Sequence, residues 1–324
     1  MKNIIKILFL LIVAVFASGC ADGRPFDMDD NENLSVKHNS IYYWKTVFDL
    51  DSLELSFLQH HNIDRIYLRM FDVATEPDFL NDTKQVVPIA TTKFLSPIPM
   101  GVEIVPVTYI TIDALRLMAS REAEFASLIV ERLLAMASYN ECGDINEIQL
   151  DCDWTNTTKE SYSKLCSVIK DSLSTKGIEL SITVRLHQLQ ETPPAAHKGV
   201  LMLYNTGALK NPRTYNSILN IYDVQQYVKQ KEYDMPIDYA YPVFGWGVKF
   251  VNNNFSSIVS YESKEILENE IIRYERPKVR DILKVKALVE EKLGKPATGN
   301  ILYHLDSSQL KHYTDNEISQ IFMY

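Results

Sequence analysis

From Ile41 to Asp306 the chain repeats one unit, a short apolar stretch of strand character followed by a longer segment with apolar residues at helical spacing. The strand candidates are IYYWK (41–45), DRIYLRMFDV (64–73), EIVPVTYIT (103–111), EIQLDCDW (147–154), ELSITVRL (179–186), VLMLYNT (200–206), IDYAYPVFGW (237–246) and NILYHLD (300–306). Helical patterns are clearest at 113–138, 158–174, 216–230 and 277–293, with Asp113 and Thr158 placed as N-caps and Gly177 and Gly294 just past helix ends. Eight strands with crossover helices over roughly 250 residues or more predict a single-domain (β/α)8 barrel, here spanning 41–324. A doubly wound open sheet is the rival, but its G-x-G-x-x-G turn is missing. Residues 247–276 exceed an ordinary βα connection and are expected to form an excursion after strand seven, over the barrel mouth.

Strand parity says which side chains face inward. In 179–186, Leu180, Ile182, Val184 and Leu186 share one face and Ser181, Thr183 and Arg185 the other. In 147–155, Ile148, Leu150 and Cys152 oppose Gln149, Asp151, Asp153 and Thr155. Barrel strands pack their outer faces on helices, so the apolar sets face outward and the polar sets line the interior, toward the C-terminal mouth where such barrels carry their chemistry. Asp151 and Asp153 then lie roughly 6.5–7 Å apart on one side of a strand. Close carboxylates oppose each other's ionisation, which can turn one of them into a proton donor. An ion pair with Arg185 on the next strand is the structural alternative.

The N-terminus, MKNIIKILFLLIVAVFASGC, has two lysines, a short apolar core and small residues before Cys20. That is the layout of a secretory signal, expected over 1–19. Its ASGC ending resembles the lipobox of bacterial lipoproteins, although Ala17 stands where Leu is commonest. The resemblance implies cleavage before Cys20, lipidation of that thiol and a membrane anchor. Ala21 at the next position points to the outer membrane, with the leaflet left open. Residues 20–40 are polar and acidic and read as a flexible tether. An envelope setting also admits protein partners.

The formal charge of −9, and the absence of a basic run after the leader, exclude nucleic acid as a partner. Cys142, Cys152 and Cys166 fit no zinc spacing and are expected as buried free thiols rather than a Cys152–Cys166 disulfide. His187 and His304 lack H-x-H or H-x-x-x-H company, so no metal is expected there. No cofactor motif and no G-x-S-x-G elbow occurs.

Three stretches carry a family resemblance in matching order. DCDWT (151–155) is similar to the end of the D-x-x-D-x-D-x-E motif of family 18 glycoside hydrolases, the chitinase and endo-β-N-acetylglucosaminidase group. MLYN (202–205) resembles that family's M-x-Y-D on strand six, and YPVFGWG (241–247) its G-x-P-x-Y-G segment on strand seven. The whole also resembles uncharacterised bacterial lipoproteins with such barrels. The resemblance implies Asp151 and Asp153 as catalytic candidates, Asp153 matching the residue that orients the substrate N-acetyl group. It also implies a substrate of N-acetylhexosamine-containing glycan. The departures lie at the acid. Thr155 stands where the family's Glu donates its proton, Ile148 replaces the first Asp, and Asn205 replaces the strand-six Asp. Losing a general acid costs a factor of roughly 10² to 10⁴. A two-residue register shift would instead make Asp151 the assisting group and Asp153 the acid.

Trp44, Trp154 and Trp246 sit at or near the expected ends of strands one, four and seven, where an aromatic face suits the C–H faces of sugars. Trp44 and Trp246 with Thr155, Arg185, Tyr204, Asn205 and Asp306 make up the candidate binding set. Trp154 has outward parity, Asp72 closes strand two, and a lone Asp such as Asp306 is more often a helix N-cap. Two readings stay open: a glycoside hydrolase, and a lapsed barrel that binds glycan without cleaving it.

Overall fold

The computed structural model describes residues 37–229, 232–263 and 269–324. The leader and the greater part of the tether lie outside the described residues. Eight parallel strands close on one another: β1 (His38–Tyr43), β2 (Ile63–Asp78), β3 (Glu103–Ile110), β4 (Glu147–Asp151), β5 (Glu179–Val184), β6 (Lys198–Met202), β7 (Ile237–Pro242) and β8 (Gly299–Tyr303). Each pairs with its sequence neighbour, and β1 pairs with both β8 and β2, which makes the sheet a closed (β/α)8 barrel. The strand starting at His38 reaches three residues into the segment expected as tether. The outer end of β2 runs past the barrel and carries an antiparallel strand, Thr83–Ile89, as a hairpin.

The principal helices are α1 (Ser52–His60), α2 (Ile112–Met118), α3 (Glu122–Tyr139), α4 (Lys159–Ser174), α5 (Ile221–Gln225), α6 (Val279–Leu293), α7 (Ser307–Leu310) and α8 (Asp315–Phe322). α4 buries Tyr162, Leu165, Cys166, Ile169 and Leu173, one stripe at helical spacing, and packs on β5. α6 does the same with Val279, Ile282, Val285, Val289 and Leu293.

The expected 113–138 helix is two helices. Thr111 rather than Asp113 caps the first, and Ser120 adopts φ +69°, with its amide held by Glu122. The expected 216–230 helix shrinks to α5. Asn216 accepts from the amides of Ile218 and Leu219, and Asn220 from that of Tyr222, so local side-chain bonds replace the first helical turns. Thr158 occupies the N-cap position of α4, yet its hydroxyl pairs with the Thr155 backbone instead of capping. Cys142, Cys152 and Cys166 are buried free thiols.

The excursion after β7 is a three-stranded antiparallel sheet built from Trp246–Val251, Asn254–Ser260 and Glu270–Glu275. Gly245 allows it to leave the barrel, because a Cβ there would meet the Glu275 carbonyl oxygen at 2.7 Å.

Inside, the barrel is polar from floor to mouth. At the floor, Lys198 Nζ lies 2.9 Å from Glu147, 3.3 Å from Asp238 and 3.1 Å from Thr298 Oγ1, while Arg65 joins Glu103 at 2.8 Å and Glu147 at 3.4 Å. Midway, Tyr42 donates to Gln149 (2.7 Å) and Gln149 to Ser181 (3.1 Å). At the top stand Asp151, Thr183 and Arg185. Isolated polar groups at these depths would be costly, and here each of these finds partners on other strands around the barrel.

Candidate active site

β4 and β5 run in register, so Asp151, the last residue of β4, meets the end of β5. Asp151 is buried, accepts 2.6 Å from Thr183 Oγ1 and lies 3.3 Å from the Arg185 guanidinium. Burial pushes its carboxyl above the ordinary value, with Arg185 acting in the opposite direction. Asp153 lies past the strand end, at the rim, and forms a salt bridge to Arg185 Nε. One guanidinium therefore holds both carboxylates, and it also stacks over the Tyr204 ring at 5.3 Å. Gln188, fully buried, fixes this geometry. Its amide donates to the carbonyls of Cys152 and Trp154 while its oxygen takes the Arg185 amide.

Aromatic rings continue around the mouth. Trp44 contacts Tyr303 (5.9 Å between ring centres), Tyr303 contacts Tyr204 (4.5 Å) and Phe244 (5.8 Å), and Phe244 contacts Trp246 (5.3 Å). Arg69, itself bonded to Asp72, covers Trp44. Trp246 Nε1 donates to Glu275 at 3.0 Å. Between the ion pair and Tyr204 opens a cleft of about 290 Å³, lined by Asp153, Arg185, His187, Tyr204 and Asn205 among others.

Of the residues named from sequence, Asp153, Arg185, Tyr204 and Asn205 line this cleft, Asp151 lies buried and joined to it through Arg185, and Trp44 and Trp246 connect to it through the ring chain. Thr155 does not share their face. β4 ends at Asp151, so the alternation stops, and the exposed Thr155 hydroxyl pairs with Thr157 at 3.0 Å. It borders a separate hollow of about 420 Å³ with His187 and Glu191. Asp306 caps α7 by accepting from the Ser308 amide at 2.9 Å. Trp154 is a core residue stacked on Tyr162. Sequence reasoning missed three residues. Tyr303 bridges the aromatic chain, Gln188 sets the ion pair, and Tyr109 pairs in register with Asp151, its hydroxyl pushed up to about 12 by burial and by Asp153 and Asp151. Of these, only Tyr109 had a readable signal, its parity on β3.

No family model matches the sequence, and no curated protein matches it. Solved structures do. The spore cortex-lytic enzyme SleL of Bacillus cereus superposes with a TM-score of 0.56 at 14% identity, over 89% of this chain and 75% of its own. A chitinase from Chromobacterium violaceum gives 0.55 at 11%, over 88% and 98%. The GH18 chitinase ChiB of Flavobacterium johnsoniae gives 0.54 at 10%, over 88% and 94%. The barrel is similar in fold to those of these enzymes, among which ChiB is a GH18 chitinase. At such identities the likeness is one of fold.

Proposed function

We propose that this protein recognises N-acetylhexosamine-containing glycan at the barrel mouth and does not hydrolyse it. The observation that carries this reading is that Arg185 binds Asp151 and Asp153 together, beside a chain of aromatic rings, while the Thr155 position offers only an exposed hydroxyl. The register-shifted hydrolase would need Asp153 to give up its salt bridge before donating a proton. The chitinases and the cortex-lytic enzyme of like fold support glycan as the ligand class.

Calorimetry of the chain from Ala21 onward with chitooligosaccharides, followed by product analysis, tests it. Binding without cleavage is expected. Turnover that Asp153→Asn abolishes would establish the hydrolase instead, and a well-folded chain that binds no such glycan would remove the carbohydrate reading. Trp246→Ala should weaken binding by roughly 1–3 kcal/mol, as loss of a stacking aromatic does. A large fall in thermal stability with binding unchanged would make Trp246 a packing residue alone.

The proposal includes anchoring at Cys20. Cys20→Ser should release the protein from membranes into the soluble periplasmic fraction, since a single thiol carries the lipid. A variant still membrane-bound after a carbonate wash would rule that out.

A further inference from the structure

Away from the mouth, α1 ends in two adjacent histidines that meet the start of α8. His60 is the last helical residue and His61 the C-cap, whose backbone (φ −96°, ψ 11°) leaves the helix. The two rings consequently face each other edge-on, 4.9 Å apart, rather than diverging as neighbours on a helix do. Asp315 completes the group. Its Oδ2 lies 3.5 Å from His60 Nε2 and its Oδ1 lies 3.4 Å from His61 Nε2. The candidate ligand atoms of all three residues fall within 4.8 Å of one another.

Two features set this cluster apart from an ordinary ion pair. The His61 side chain is 1% exposed, and its Nε2 has no hydrogen bond of normal geometry among the described residues. A buried ring nitrogen left so is uncommon and costs stability unless something binds it. The separations, moreover, are too long for good N–H···O bonds, which cluster near ~2.9–3.0 Å. The two His–Asp separations, measured to different oxygens of Asp315, fall in the range of neighbouring donors around a tetrahedral zinc ion, roughly 3.3–3.5 Å for bonds of about 2.0–2.2 Å.

We propose that His60, His61 and Asp315 bind a zinc-class divalent cation that clips the first helix of the barrel to the last. Two imidazoles and a carboxylate are a borderline-soft donor set that suits zinc and excludes magnesium, which prefers oxygen and water. Three protein ligands leave a coordination position free beside the small hollow lined by Phe57, Leu310 and Tyr313. No spacing motif marks the site, because its ligands come from opposite ends of the barrel sequence.

The test is calorimetry of the full chain with Zn²⁺, with Mg²⁺ as the comparison. It is repeated on His60→Gln and Asp315→Asn, whose side chains are 58% and 72% exposed and whose replacement leaves the core intact. One zinc per chain is expected, with each substitution weakening it at least about tenfold. Zinc at a hundredfold excess over its Kd should raise the melting midpoint of the parent by about 3–6 °C and those of the variants by less. Co²⁺ should give the visible bands of a four-coordinate site in the parent, reduced in Asp315→Asn. Failure of zinc to bind, equal affinity in parent and variants, or magnesium binding as tightly as zinc would each overturn the proposal. His61→Gln serves as a third arm where it folds, and it is expected to lose zinc as the other two do.

Discussion

Arg185→Met is expected to cost about 3–5 kcal/mol of folding stability and to abolish glycan binding, because it leaves Asp151 buried without its cation and removes one wall of the cleft. Urea unfolding monitored by two probes measures the first effect, and calorimetry with a chitooligosaccharide the second. The pH dependence identifies the carboxylate responsible. Burial already holds Asp151 above its ordinary value, and without Arg185 it rises further. A group whose folded pKa exceeds the unfolded one contributes stability that is complete below the unfolded value, near 3.9, and is lost as pH climbs through the folded value. The deficit of the variant should therefore be smallest near pH 4 and widest at neutral pH. Arg185→Lys keeps the charge without the planar fork and should fall between variant and parent. A deficit under about 1 kcal/mol, or one that widens toward acid, would show that the pair does not hold the site together.

At the other end of the barrel, Lys198→Met should destabilise by a similar amount, about 3–5 kcal/mol. Lys198 is buried between Glu147 and Asp238, and an apolar replacement leaves both carboxylates facing each other in the interior. Whatever fraction remains folded should bind glycan normally, since the mouth is untouched. Adding Asp238→Asn should recover part of the loss by removing the carboxylate that has lost its cation, since Glu147 still has Arg65. If Lys198→Met unfolds at the same urea concentration as the parent with the same slope, the floor network contributes little.

The strands were legible because period-two alternation survives wherever one face meets helices and the other a polar interior. That same alternation put Asp151, Thr183 and Arg185 on one side, where the structure has them. It misled at Thr155, because parity has meaning only while the chain stays extended, and β4 stops four residues earlier. The 216–230 segment shows a second limit. Its apolar spacing is helical, but Asn216 and Asn220 offer the backbone closer partners than the next turn would. Gln188 and the His60–His61–Asp315 cluster were invisible for a third reason, since each depends on which distant segments meet.

Glu275 has an effect that reaches beyond its own strand. Its carboxylate takes the Ser217 amide (2.9 Å) and the Trp246 indole (3.0 Å), while Arg273 beside it grips the carbonyls of Leu209 and Asn211. The inserted sheet, the segment after β6 and the Trp246 platform are thus fastened at one point. On the proposed reading, a sugar arriving there would meet a surface already fastened in place, with little side-chain freedom left to surrender. Affinity built this way resides in slow departure rather than fast capture, and loosening Glu275 should shorten residence time even though it touches no sugar.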